Sequence, residues 1–89
     1  MVINISKPIE MHYYHDTFCE ETEELFEKLY IIEYAWFYFP IEAECEMLNV
    51  SYEDEDGNWC IAETTGDSYI DKCIDRYMRK NAEFVSQYN

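Results

Sequence analysis

From Thr17 to Phe39 the chain contains no Gly, Pro, Asn or Asp. A change of element inside such a stretch would ordinarily need one of those residues, so it reads as a single long element. Thr17 with Glu20 three residues on has the form of a capping box, and the acids that follow suit the positive end of a helix dipole. Phe18, Thr22, Leu25, Leu29, Ile32 and Trp36 then recur at spacings of four and three, flanked by Phe26, Tyr30 and Phe37. This predicts a helix over about 17–37. Residues 29–39 are strand-like by propensity, being rich in Tyr, Ile and Phe. The missing punctuation decides for helix.

Around this element the signals are shorter. Val2, Ile3 and Ile5 open a strand that Lys7-Pro8 interrupts, and Ile9, Met11 and Tyr13 alternate with Glu10, His12 and Tyr14 as in a second short strand. After Pro40, Glu42, Glu44 and Glu46 alternate with Ala43, Cys45 and Met47. Leu48, Val50 and Tyr52 continue the Glu42 phase, which calls for a bulge or register change near 47. A short helix over 41–47 is the alternative. Asp54-Glu55-Asp56-Gly57-Asn58 is a turn, with Gly57 free to take positive φ. Trp59, Ile61 and Glu63 return as the second arm of a hairpin at about 43–64. Asp67 or Ser68 caps a last helix, about 68–86, whose apolar face is Ile70, Cys73, Ile74, Tyr77, Phe84 and Tyr88, with a break at Lys80-Asn81. The fold class expected is α+β, a single domain over 1–89 with a small antiparallel sheet packed against two helices.

Charge constrains function more than fold. Residues 10–63 hold sixteen acids and one base, Lys28, for a net of −15. The segment from residue 67 on balances Asp67, Asp71, Asp75 and Glu83 against Lys72, Arg76, Arg79 and Lys80. Disorder does not follow, because aromatic residues make up 18% of the chain, where acidic disordered chains lack them. The polarised charge repels nucleic acid and anionic membranes and attracts cationic surfaces. Direct nucleic-acid binding is disfavoured by sign. No apolar run reaches the ~18 residues of a membrane span, and no signal peptide is visible, so the expected compartment is the cytoplasm. Cys19, Cys45, Cys60 and Cys73 stand far apart and read as reduced thiols.

Chemistry-bearing patterns are few. Two glycines leave no phosphate-cradling loop, and the two histidines form no nucleophile–base arrangement, so no catalytic residue is assigned. His12-x-x-His15-x-x-x-Cys19 has ligand-like spacing but lacks the second close pair of a zinc site. The 52–63 turn matches part of a calcium loop but has Tyr52 where the first carboxylate belongs. No metal and no cofactor are expected.

The acids remain. Alternate strand residues such as Glu42, Glu44 and Glu46 lie ~6.7 Å apart, close to two phosphate steps of one DNA strand. Glu20, Glu23, Glu24 and Glu27 make a second acidic row, Asp54, Glu55 and Asp56 a third, and tyrosines lie among them. A domain this small needs a net charge of only about 2–8 for solubility, against −14 here. In size, charge and aromatic content the chain resembles the small acidic DNA-mimic inhibitors of bacteriophages, including anti-restriction and anti-CRISPR proteins. The resemblance lies in bulk properties, since those proteins share no motif. It implies a non-enzymatic anti-defence inhibitor that fills the cationic site of a host nuclease or other basic DNA-binding protein. The ten acids named in this paragraph are the expected partner-binding residues. An immunity or antitoxin protein covering a cognate nuclease is the alternative from the same physics. A metal-binding module, or an acidic domain adapted only for solubility, is the alternative from another class. Surplus apolar area on 17–37 would also suit a homodimer.

Overall fold

The computed structural model describes residues 2–84. Five strands and one helix follow in the order β1 (Asn4–Ile5), β2 (Ile9–Cys19), β3 (Glu24–Tyr38), β4 (Ala43–Glu53), β5 (Trp59–Ala62) and α1 (Ser68–Asn81). All pairings are antiparallel. β3 is central, with β1 and β2 end to end along one edge and β4 then β5 on the other. The sheet curls into half a barrel with α1 against its inner face.

The expected α+β fold, a small antiparallel sheet packed against two helices, is therefore incorrect. The proposed first helix is a long hairpin, β2–β3, turned at residues 20–23. In β3 the even-numbered Phe26, Tyr30, Ile32, Tyr34, Trp36 and Tyr38 form a period-two series alongside the helical one. Their β-branched and aromatic side chains favour the pleated surface. The turn uses none of the usual breakers. Glu23 takes φ 56°, the one positive φ at a non-glycine among the described residues, a conformation uncommon outside Gly and Asn. Thr17 is consequently a strand residue and caps nothing.

β3 also sets the shape. Fifteen extended residues span ~50 Å, and the molecule measures 52 × 22 × 22 Å with a radius of gyration of 15.3 Å. A compact chain of this length would have a radius near ~12 Å. The excess comes from the end of β2–β3 that runs beyond β4, whose pairing with β3 stops at Ile31–Ser51.

The inner face carries the core. Tyr30, Ile32, Tyr34, Cys45 and Val50 pack with Ile74 and Met78 of α1, and Ile9, Met11 and Tyr13 flank them. Burial pushes the phenol pKa values of Tyr13, Tyr30 and Tyr34 up. β4 bulges at Leu48, the residue left over where Glu33 pairs with Asn49 and Tyr34 with Met47. The bulge returns Val50 and Tyr52 to the Cys45 side, as the phase change near 47 requires. Helix α1 starts at Asp67, whose carboxylate accepts the N–H groups of Tyr69 (2.9 Å) and Ile70 (3.2 Å). It ends at Asn81, short of the expected 86. Ala82 donates to the Met78 carbonyl and leaves in extended backbone, so Phe84 lies beyond the helix, where its ring meets Trp36 edge-on. Tyr88 and the expected helical positions 85 and 86 lie outside the described residues.

Candidate functional site

The side of the sheet turned away from α1 is the candidate site, and strand register determines what it displays. Because side chains alternate, every residue out of phase with Tyr13, Ile32, Cys45 and Val50 faces outward. On β2 these are Glu10, His12, Tyr14, Asp16 and Phe18. On β3 they include Leu25, Glu27, Leu29, Ile31, Glu33 and Phe37. On β4 the bulge brings Glu53 onto the same side as Glu44 and Glu46.

Cross-strand partners arrange these side chains in rows across the strands. Phe37 pairs with Glu44 and Ala35 with Glu46. Glu10 pairs with Glu33, which pairs with Asn49. His12, Ile31, Ser51 and Ile61 make the next row. One step further come Tyr14 opposite Leu29 and Glu53 opposite Trp59. Asp16 opposite Glu27 follows, then Phe18 opposite Leu25. Rows are ~6.7 Å apart, two strand residues. From Glu44 to Asp16/Glu27, five of six rows hold a carboxylate, so seven acids cover ~34 Å on one face. No Lys or Arg of the described residues belongs to these rows. Lys28 is in phase with the inner face and lies over Tyr30 and Tyr52, 5.6 and 5.7 Å from their ring centroids.

Compensation of these acids is sparse. Glu46 meets Arg79 at 3.9 Å, reached past the stretch of β4 that β5 does not cover. Glu10 lies 3.1 Å from His12 Nε2, and Glu33 accepts from Asn49 Nδ2 at 3.3 Å. Arg79 is engaged more closely by Asp75, at 3.1 Å, which together with Glu46 holds the guanidinium more firmly charged.

The ten expected residues are not one array. Glu27, Glu44 and Glu46 lie on the outer face. Glu20 and Glu23 sit in the β2–β3 turn, and Glu24 begins β3 in the inner phase, so the acidic row predicted on a helix does not exist. Glu42 lies in the β3–β4 turn, where its carbonyl accepts from Phe39 N–H. Asp54 builds its own turn: Oδ1 accepts the N–H groups of Asp56 (2.9 Å) and Asn58 (2.8 Å). Those bonds, the Asn58 N–H foremost, hold its carboxyl below the usual aspartate range. Glu55 and Asp56 are exposed beside it.

Four members of the face, Glu10, Asp16, Glu33 and Glu53, were not among the expected ten. The alternation over residues 9–14 pointed to Glu10, and its continuation to Asp16. Reading 17–37 as helix hid Glu33 from the same pattern. Of the apolar surplus assigned to that helix, Phe18, Leu25 and Phe26 are exposed at the hairpin end, and Tyr14, Trp59 and Ile61, from outside 17–37, are exposed on the outer face.

His12 faces outward while His15 and Cys19 share the inner phase, so the ligand-like spacing does not converge. No group of three His, Cys, Asp or Glu among the described residues could hold a metal ion. His15 Nδ1 is instead 2.7 Å from the Tyr13 hydroxyl. The four cysteines are free thiols. No helix among the described residues is long and apolar enough to cross a membrane. Comparison with protein-family models, curated proteins and solved structures gives no match.

Proposed function

We propose that this chain is a non-enzymatic inhibitor that occupies the cationic nucleic-acid-binding site of a restriction or CRISPR nuclease by mimicking a phosphate backbone. One observation carries the reading: an elongated sheet face holding carboxylates in five of six successive rows and no Lys or Arg. The density favours a single strand over a duplex as the thing mimicked. Seven charges over ~34 Å is one per ~5 Å, against one per 3.4 Å for one DNA strand and 1.7 Å for two.

The pairing of the acids argues against a role in solubility alone. Like charges directly opposite each other in a sheet are destabilising, and the face carries two such pairs, Glu10–Glu33 and Asp16–Glu27. Charges interspersed over the surface would confer solubility without that cost. Repulsion of this kind is relieved when a cationic surface covers the face. Electrostatic steering would make association fast and salt-sensitive.

The test is DNA cleavage by purified restriction and CRISPR nucleases with increasing amounts of the protein. Inhibition of at least one, relieved by excess DNA and weakened by salt, is expected. Inhibition that excess DNA does not relieve would place the binding site elsewhere and contradict mimicry.

A further inference from the structure

Between its acidic ends the outer face carries an apolar band, formed by two adjacent rows. Ile31 and Ile61 belong to one, on either side of Ser51, and Tyr14, Leu29 and Trp59 to the next, with Glu53 between the last two. Trp59 is 50%, Tyr14 55% and Ile61 70% exposed, and Leu29 and Trp59 line one cleft of about 520 Å³ whose other walls include Lys28, Glu27, Glu53 and Glu55. Exposed apolar side chains grouped within a charged rim mark interaction sites on soluble proteins. Trp and Tyr are the residues most enriched where binding energy concentrates. Phosphate mimicry by the acids does not by itself account for this band, which carries no charge to stand in for a phosphate except Glu53.

We infer that the band is the anchor of a protein–protein interface, and that its occupant is a protein surface presenting an apolar strip between two cationic clusters. Charge decides the occupant. Asp16 and Glu27 bound the band on one side, Glu10 and Glu33 on the other, and Glu53 stands within it. A second copy docked face to face would set seven carboxylates against seven with no Lys or Arg between them. A partner with Lys or Arg at both ends of an apolar strip meets the acidic rows that bound the band. The inference rests on the charge-mimicry reading and adds that affinity resides in Trp59, Ile61 and Tyr14, while the acids set approach and salt dependence.

Two synthetic peptides of equal length and charge test it, one alternating Arg with Leu and the other Arg with Ser. Binding is measured by peptide anisotropy and tryptophan fluorescence over a salt series. The Arg-Leu peptide should bind roughly tenfold or more tightly and keep that advantage at high salt. The double variant Trp59→Thr/Ile61→Thr, which keeps β-branched residues on β5, should abolish the advantage while still binding the Arg-Ser peptide. That retained binding also reports an intact fold. Equal binding of both peptides to the native chain, or an advantage that survives in the double variant, overturns the inference and leaves charge mimicry standing. Failure of either peptide to bind at low salt overturns both. Sedimentation of the protein alone gives the remaining outcome: a dimer abolished by the double variant would assign the band to self-association.

Discussion

Asp16 and Glu27 face each other across β2 and β3 as direct cross-strand partners on the outer face, and neither meets a Lys or Arg. Antiparallel sheets normally fill such positions with opposite charges or apolar pairs, each worth a few tenths to one kcal/mol. This pair, with Glu10–Glu33 three rows away, makes the face less stable than the scaffold could provide. Replacing Glu27 with Lys converts repulsion into attraction. We expect the melting temperature of Glu27→Lys to rise by about 2–6 °C at low salt, and its affinity for a cationic partner to fall. A lower melting temperature in thermal denaturation would show that the pair is not repulsive in the folded chain.

Ionic strength should act in the same direction on the native chain. With a net charge of −14, self-repulsion opposes the compact state and is screened within ~8–10 Å at physiological salt. The melting temperature should therefore rise between about 10 and 150 mM NaCl. A fall over that range would mean that attractive pairs outweigh the repulsion described.

Helix α1 holds the inner face through Ile74 and Met78, both fully buried. Truncating Met78 to Ala should cost about 2–5 kcal/mol, a large share of the stability of a domain this size. Asp67→Ala removes the N-cap acceptor of two N–H groups and should cost about 1 kcal/mol. Denaturant unfolding of both variants checks the order. If Asp67→Ala is the more damaging, α1 depends on its cap and not on its packing.

The β4–β5 turn should be resistant to acid. Backbone N–H groups of Asn58 and Asp56 hold the Asp54 carboxyl below its usual pKa. A depressed pKa gives stability that is fully present above the unfolded value, near ~3.9, and lost as pH falls through the lower folded value. An NMR titration of the Asp54 carboxyl should give a midpoint below ~3.9, and the Gly57 amide should lose exchange protection only beneath it. A midpoint at or above ~3.9 would contradict the bonding described.

Thiol reactivity should separate two of the cysteines. The side chain and N–H of Thr22 hydrogen-bond to Cys19 at the β2–β3 turn and lower its pKa. Cys45 lies in the core, and burial pushes its thiol up. Alkylation followed by mass spectrometry should label Cys19 first and Cys45 last. Early labelling of Cys45 would mean that α1 does not cover it.

How far the fold was legible follows from where its signals lie. The β4–β5 hairpin and the α1 start were readable because Asp54-to-Asn58 and Asp67 carry conventional turn and cap chemistry. The bulge near 47 was readable because the polar phase of Glu44 and Glu46 passes to the apolar Val50 and Tyr52. The β2–β3 hairpin was not, for two reasons. The helical stripe from Phe18 to Trp36 overlaps the period-two series from Phe26 to Tyr38, and the turn between the strands is made of Glu20, Glu21, Thr22 and Glu23. That turn places a glutamate at positive φ, where Gly or Asn would have announced it. The functional face was only partly legible for the same reason. Glu10 and Asp16 come together with Glu33 and Glu27 through that hairpin alone, and no local pattern joins residues 10 and 33.

The central claim, that the outer acids stand in for phosphates, is tested most directly by neutralising them in place. A variant carrying Glu10→Gln, Asp16→Asn, Glu27→Gln and Glu33→Gln removes four charges and both repulsive pairs while keeping side-chain size. Its competition with labelled single-stranded DNA for an inhibited nuclease should be measured against salt beside the native chain. The account predicts much weaker competition at low salt, a flatter salt dependence, and a melting temperature no lower than native. Undiminished competition with an unchanged salt slope would contradict it.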